Sequence, residues 1–124
     1  MMKQTIAAIL ACCALWSIPA RSERADLSAN YLMPGCRHIV AAGPQKNVTI
    51  NPRNAQTVHT GGWCAGFVTG IALVGPGSCL PAGSTIDQVL CVVVKYVDER
   101  PQRLHEDFAV LVQEALATTW PCNQ

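Results

Sequence analysis

Seven cysteines in a chain of 124 residues constrain this fold more than any other feature. Cys12 and Cys13 lie in an apolar N-terminal segment, which leaves five cysteines for the rest of the chain. Small exported domains commonly keep cysteines as cross-links, because their compartment is oxidising and their cores are modest. We therefore predict a small exported domain that is stapled by disulfides.

The N-terminal segment has the pattern of a secretory signal. Lys3 is followed by residues 4–20, which carry no charge, as in a basic n-region and an apolar h-region. A membrane anchor is the first alternative, but the apolar part is shorter than the roughly 20 residues that a spanning helix needs. Lipidation at Cys12 is the second. We predict a signal peptide over residues 1–20, a single exported domain over 21–124 and no stable membrane association after cleavage.

The charge balance argues against one class of partner. Residues 21–124 contain eight Lys and Arg against eight Asp and Glu, so the mature chain is formally neutral. Without a basic stripe to neutralise phosphates, binding to nucleic acid has no electrostatic support.

The hydrophobic periodicity predicts an all-α fold, a small disulfide-stapled bundle of about four helices. Apolar residues recur at i+3 and i+4 along each segment. Thr85 stands three residues before Gln88, the spacing of a capping box, and Pro101 suits the first turn of a further helix. The predicted helices cover residues 27–42, bent or restarted at Pro34, residues 61–74 with Thr60 as the cap, a third from Thr85, and a fourth from Pro101 to Pro121.

Three glycines form a row on the second predicted helix. Gly62, Gly66 and Gly70 recur every four residues, although each costs about 1 kcal/mol relative to Ala inside a helix. Such a row is tolerable where another backbone approaches closely. Two interpretations stand: tight helix packing within the monomer, which is the plainer one, or a contact with a second subunit or a partner. A membrane dimerisation motif is disfavoured, because the apolar run is too short to span a bilayer.

The cysteine positions suggest a pairing. Cys36 and Cys64 lie on core-facing helical stripes, whereas Cys79 and Cys122 lie in a turn and at the end of the last helix. We propose the disulfides Cys36–Cys64 and Cys79–Cys122, with Cys91 left as a free and buried thiol in the third helix. Five cysteines allow other pairings, and peptide mapping that linked Cys91 to a partner would contradict this one.

The sequence offers no credible catalytic, cofactor or metal site. The cysteines and histidines lack the paired spacing of structural zinc sites, and no C-x-x-C redox pair is present. The cluster His105, Glu106 and Asp107 is interpreted as a solvated helix face. These observations favour a binding protein over an enzyme.

A distributed pattern in the mature chain resembles the Rap/Tai family of immunity proteins, which is associated with type VI secretion. The strongest pieces are the C-x-G-[FY]-x-x-G-[IV] helix, the C-x-P turn and the terminal W-P-C. The matching blocks are YLMPGC (31–36), WCAGFVTGI (63–71), CLPAGST (79–85), DQVLCVVVKYVDERP (87–101) and WPC (120–122).

The resemblance implies an exported, helical, disulfide-bonded inhibitor. Members of the family bind a peptidoglycan amidase effector in the periplasm and block its active site, and the resemblance also implies a homodimer. The cleft-filling loop would then be sought in residues 43–60 or 75–84. A periplasmic chaperone-like or stress protein that binds clients non-specifically is the competing hypothesis, and a saposin-like lipid carrier is the third.

Overall fold

The structure is a computed structural model that describes residues 26–43 and 49–122. The predicted signal peptide and Cys12 lie outside the described residues. Within the described ranges the regular elements are helical, and two isolated bridges join extended residues. The prediction of an all-α bundle of four helices is therefore confirmed. The helices are α1 (Ala29–Ala42), α2 (Ala55–Val74), α3 (Ile86–Asp98) and α4 (Phe108–Thr119), with a 3-10 turn at Pro101–Arg103.

Helix α1 begins two residues later than predicted and continues through Pro34 without restarting. Its first backbone N–H groups have no partner within the helix. The segment before α4 supplies acceptors: Ala29 N–H donates to the carbonyl of Glu106 at 3.0 Å, and Asn30 N–H donates to that of Leu104 at 2.7 Å. The start of α1 is thus fixed by a tertiary contact.

Helix α2 begins at Ala55, six residues before the predicted start, so the assignment of Thr60 as its cap is wrong. Asn51 accepts hydrogen bonds from the backbone N–H groups of Arg53 and Asn54, which shapes the turn that enters the helix. Thr60 is buried, and its hydroxyl donates to the carbonyl of Gln56 at 3.1 Å. A buried threonine that bonds back to its own helix carries the same sequence signal as a cap.

The close approach between α1 and α2 occurs at Gly35 and Gly61. A Cβ atom on Gly35 would lie 2.3 Å from the backbone nitrogen of Gly61 and 2.4 Å from the carbonyl carbon of Thr60. Gly62, Gly66 and Gly70 have no atom within 4 Å of a Cβ position, so their packing inside the monomer, the plainer prediction, is wrong. The glycines that permit close packing are therefore not the regularly spaced ones.

One hydrophobic core lies between the four helices. Each helix contributes several fully buried side chains, and Leu80, Tyr96, Leu104 and Trp120 pack against the rim. The largest buried side chains are Leu32, Met33, Val68, Val89, Val93, Val97, Phe108, Leu111, Val112 and Leu116.

Both proposed cysteine pairs are present as disulfides. Cys36–Cys64 joins α1 to α2 with an S–S distance of 2.09 Å, beside the crossing of the two helices. Cys79–Cys122 joins the loop before α3 to the end of the chain at 2.00 Å. Cys91 is free, but it is exposed rather than buried as predicted. The buried face of α3 holds Val89, Leu90, Val93, Val94 and Val97, and Cys91 falls between them on the opposite side.

Helix α4 begins at Phe108 rather than near Pro101. Pro101 opens the 3-10 turn instead, and Asp107 caps α4 by accepting a hydrogen bond from the N–H of Ala109 at 2.8 Å. His105, Glu106 and Asp107 therefore precede the helix, and their assignment to its solvated face is wrong. The predicted buried stripe from Phe108 to Leu116 is correct.

The capping box at the start of α3 is confirmed and gives a first prediction. The Thr85 hydroxyl accepts from Gln88 N–H, and the Gln88 side chain accepts from Thr85 N–H at 2.9 Å. Thr85→Ala removes one of these bonds, and we expect it to lower the free energy of unfolding by about 1 kcal/mol. Urea denaturation measures the change. Thr85→Ser keeps the hydroxyl and should remain near wild type; an equal loss in both variants would contradict a capping role.

Candidate binding surfaces

The longest uncharged stretch of the chain contains one whole helix and the loop after it. Residues 54–86 contain no Asp, Glu, Lys or Arg, and they include all of α2 and the loop that follows it. The buried residues of α2 share one face: Thr60, Gly61, Cys64 and Val68. A helix that is apolar on all sides is normally covered on all sides. The outer face of α2 is therefore an unusual surface and a candidate for binding.

The row of glycines faces outward and forms the floor of a shallow groove. The groove has a volume of about 640 Å³. Trp63 is 44% exposed, and its ring stacks on that of Phe67 with centroids 6.0 Å apart. We call this surface the glycine groove; its lining residues are Gly62, Trp63, Gly66, Phe67, Gly70 and Ile71.

By length and composition alone, α2 also meets the requirement for crossing a bilayer. The sequence-based argument that this segment is too short was therefore wrong, because the helix has 20 residues. The same criteria are met by core helices of proteins that do not span a membrane. Here α2 packs on α1 at Gly35 and is covalently joined to it through Cys64. A spanning arrangement would have to break that packing, and the disulfide opposes the separation.

A second apolar surface lies where α2 ends and α3 begins. Leu73 is 79% exposed and Val74 is 86% exposed, and a groove beside them runs between the two helices. We call this surface the apolar end and define it by Leu73, Val74, Leu80 and Ile86. Leu73 and Val74 project from the end of α2, whereas Leu80 is partly buried and lines the groove beside them.

The loop of the apolar end, residues 75–85, is held against the C-terminal segment. Besides the disulfide, Cys79 N–H donates to the carbonyl of Trp120 at 2.8 Å, and Ser78 pairs with Pro121 in an isolated bridge. The Gln113 side chain donates to the carbonyl of Pro76 at 3.3 Å. The loop therefore presents Leu80 from a fixed position. Of the other predicted loop, residues 43–60, the part from Ala55 onward is helical, and residues 44–48 lie outside the described residues.

Several charged side chains on the other elements pair with one another. Arg37 on α1 contacts Asp98 on α3 at 2.6 Å. Arg103 contacts Glu106 at 2.7 Å and Glu114 at 2.5 Å, and the Tyr96 hydroxyl donates to Glu114 at 3.2 Å. Hydrogen bonds from Arg103 lower the pKa of both glutamates below the ordinary value. These contacts link α1 to α3 and the segment before α4 to α4 itself, and none of the paired residues belongs to either apolar surface.

The Arg103 cluster predicts a pH dependence of stability. A carboxylate whose pKa is lower in the folded state stabilises that state above its unfolded pKa, and the contribution disappears as the pH falls through the folded pKa. As the pH falls below the ordinary pKa of glutamate, the urea midpoint of the wild type should therefore drop more steeply than that of Arg103→Gln. Arg53→Gln, at an exposed position without an ion pair among the described contacts, should keep the wild-type slope. Parallel curves for wild type and Arg103→Gln would contradict the prediction.

Ligand-bearing side chains do not converge on a metal site within the described part of the chain. No group of three or more His, Cys, Asp or Glu side chains lies close enough to hold an ion there. Four of the five cysteines predicted to be in the mature chain are paired, and Cys91 stands alone on the outside of α3.

Sequence reasoning missed the apolar end. Leu73 and Val74 are the last residues of the predicted second helix, and no binding surface was predicted for them. The available signal was the composition of α2, which has no polar face to turn toward water. A helix of that kind with only one face against the core leaves apolar side chains exposed, and the charge-free stretch over residues 54–86 marks where this happens.

Comparison with known families gives one match, and comparisons with curated proteins and with solved structures give none. The matching family model is that of the Rap1a immunity proteins, and it covers residues 28–122. The match therefore includes every helix and both disulfides of the structure. Since it spans most of the chain, the protein belongs to the Rap1a family of immunity proteins, which act as inhibitors rather than as enzymes.

Proposed function

We propose that this protein neutralises a peptidoglycan amidase effector of a type VI secretion system by occluding the active site of that enzyme. Family membership supports an immunity function against a secreted effector. The observation that carries the finer proposal is the apolar end, where Leu73 and Val74 protrude beside a loop that is tied down by Cys79–Cys122. A protruding apolar element matches the concave shape of an enzyme cleft.

The anchoring of the loop favours tight binding. Ordering a mobile loop at an interface costs free energy that is subtracted from the affinity. Residues 75–85 begin and end at helices and are joined to the C-terminal segment in their middle, so little of that cost remains. Interfaces of this kind depend on a few well-packed anchors. We assign that role to Leu73, Val74 and Leu80.

The proposed location follows from the chemistry of the cysteines and of the substrate. We propose that residues 1–20 act as the signal peptide and that the domain over 21–124 is delivered to the periplasm. Disulfides form and persist in that compartment, and peptidoglycan lies there. An inhibitor that protects the producing cell has to meet an incoming amidase in the same place.

We assign the glycine groove to a homodimer contact. Without side chains at Gly62, Gly66 and Gly70, the α2 helix of a second copy can approach the backbone closely. Trp63 and Phe67 flank the row and would be repeated by a two-fold axis, so that each copy supplies the same anchors. In this arrangement the apolar end remains available for the effector.

A periplasmic protection assay tests the immunity proposal. The exported protein is produced with amidase effectors encoded in the same genome, and rescue from lysis and co-purification are scored. We expect one effector to be neutralised in a stable complex. The variant Leu73→Asp/Val74→Asp should abolish both the rescue and the co-purification.

Val110→Asp, at an exposed apolar position on α4, is the control variant and should retain both readouts. Absence of rescue and of any complex would overturn the proposal, and suppression of aggregation of unrelated clients would then favour the chaperone-like hypothesis.

Sedimentation velocity tests the homodimer separately. We expect the wild type to sediment as a dimer and Gly66→Leu, which fills the groove, to sediment as a monomer. Thr118→Leu adds a similar side chain at an exposed position of α4 and should leave the dimer intact. A wild-type monomer, or a dimer unaffected by Gly66→Leu, would contradict the assignment of the groove.

A further inference from the structure

The two disulfides differ in how far a reductant can reach them. Cys36 and Cys64 are both 0% exposed, and they lie where α1 and α2 cross. Cys79 is exposed and Cys122 is partly exposed, and both lie outside the helices. Attack on a disulfide requires a thiolate to reach one of its sulfur atoms. The native fold therefore leaves one disulfide open to attack and covers the other.

The exposed disulfide also has a distinct mechanical role. It is the covalent link between residues 75–85 and the segment after α4. The other contacts between the loop and that segment or α4 are backbone pairing of residues 78 and 79, and the hydrogen bond from Gln113 to Pro76. Only Leu80 of the loop is packed against the core, whereas Trp120 anchors the C-terminal segment independently. Cleavage of the disulfide therefore leaves the loop held only by these hydrogen bonds and by Leu80, while the buried contacts among the four helices remain.

We propose that Cys79–Cys122 is a reducible latch on the apolar end, selectively opened by a dithiol reductant while Cys36–Cys64 stays closed. A thiolate of the reductant attacks the sulfur of Cys79, the more exposed partner, and the S–S bond breaks with Cys122 as the leaving thiolate. The second thiolate of the reductant resolves the mixed disulfide and releases Cys79. Two electrons pass to the protein, Cys79 and Cys122 each take up a proton, and the reductant ends as a disulfide.

The latch gives the apolar end two states. In the oxidised state the disulfide fixes the loop and holds Leu80 beside Leu73. In the reduced state the four helices persist, and the loop opens more readily because only its hydrogen bonds and Leu80 hold it. One consequence rests on the proposed function. If the apolar end occupies the amidase cleft, only the oxidised state inhibits the amidase. The protein would be inactive until export and oxidation, and a periplasmic dithiol oxidoreductase would be able to open it.

Reduction of the native protein by dithiothreitol tests the latch without any effector. The experiment uses a Cys91→Ser background, so that the free thiol does not exchange with either disulfide. Samples are quenched by alkylation and each cysteine is quantified by mass spectrometry. We expect Cys79–Cys122 to be reduced at least about 100-fold faster than Cys36–Cys64, because the buried pair reacts only after the helices separate. Far-UV circular dichroism should stay unchanged after the first reduction, while amide hydrogen exchange within residues 75–85 should accelerate.

Three outcomes would overturn the latch. They are equal reduction rates for the two disulfides, loss of helical signal together with the first reduction, and unchanged exchange in residues 75–85 after Cys79–Cys122 has been cleaved. The variant Cys79→Ser/Cys122→Ser provides a second measurement and should show the same accelerated exchange with no reductant present. Failure of the protection assay would refute the immunity proposal and leave these results unaffected, so the two proposals fail separately.

Discussion

Gly35→Ala is expected to destabilise the protein by about 3 kcal/mol, although it adds a single methyl group to a helix. In most helix interiors the same change is stabilising, because alanine has the higher helix propensity. Here the added carbon would lie 2.3 Å from the backbone nitrogen of Gly61 and 2.5 Å from the hydroxyl oxygen of Thr60. Backbone atoms have no rotamer by which to withdraw, so α1 and α2 would have to move apart. Cys36–Cys64 joins the helices beside this point and resists that movement.

Gly66→Ala is the matched control for this prediction. It makes the identical substitution in the neighbouring helix, where no atom lies within 4 Å of the new carbon. We expect a gain of about 1 kcal/mol, so the two variants should shift the stability in opposite directions. Urea denaturation followed by circular dichroism, at a protein concentration low enough to avoid self-association, measures both. A Gly35→Ala variant as stable as wild type would refute the close contact between α1 and α2.

Removal of Cys36–Cys64 is expected to have the second large effect. The Cys36→Ala/Cys64→Ala variant should lose about 4 kcal/mol, since the cross-link closes a loop of 29 residues and both sulfurs fill fully buried space. A domain of this size has a net stability on the order of 5–10 kcal/mol, so a large part of it depends on this bond. We expect the variant to be partly unfolded near 37 °C.

The second disulfide provides the comparison. Its loop of 44 residues is longer, so chain entropy alone assigns Cys79–Cys122 a slightly larger contribution. Burial predicts the reverse order, because alanine at these exposed or partly exposed sites leaves no comparable cavity. Thermal unfolding of Cys79→Ala/Cys122→Ala alongside the first variant decides between the two. Equal losses, or a greater loss at the exposed pair, would show that loop length outweighs burial here.

The features that could be predicted from the sequence are local ones. The capping box needs Thr85 and Gln88 at a fixed separation, and the amphipathic stripe of α4 needs apolar residues at i+3 and i+4. Both were predicted correctly. The disulfide Cys36–Cys64 could be predicted in a similar way, because both cysteines lie on helical stripes that have to face the same core. Each of these inferences depends on residues within one element or on their shared relation to the interior.

The errors concern boundaries and faces, which depend on distant parts of the chain. The start of α4 was placed at Pro101 because proline favours a first turn, but Asp107 supplies the stronger cap and a 3-10 turn fills the interval. For the glycine row, packing within the monomer and a contact with a second subunit or partner both stayed open, because the spacing shows that the glycines share a face of the helix but not which face it is. Cys91 was expected to be buried among valines, but its position on α3 lies opposite them.

The binding surfaces were the least predictable part. An exposed apolar side chain such as Leu73 has the same local pattern as a buried one, and only the position of α2 at the outside of the bundle distinguishes them. The loop was suggested by its prolines and glycines, and its attachment to the segment after α4 followed from the predicted pairing of Cys79 with Cys122.

The absence of charge from α2 has a kinetic consequence. Long-range attraction between opposite charges raises association rates, and salt weakens it. The outer face of α2 carries no such charge, so electrostatic attraction does not accelerate the binding of a partner to this face. Such a partner should associate at an ordinary rate of roughly 10⁵–10⁶ M⁻¹s⁻¹. The rate should change little between low and high ionic strength. A tight complex on this face would therefore owe its affinity to a long residence time.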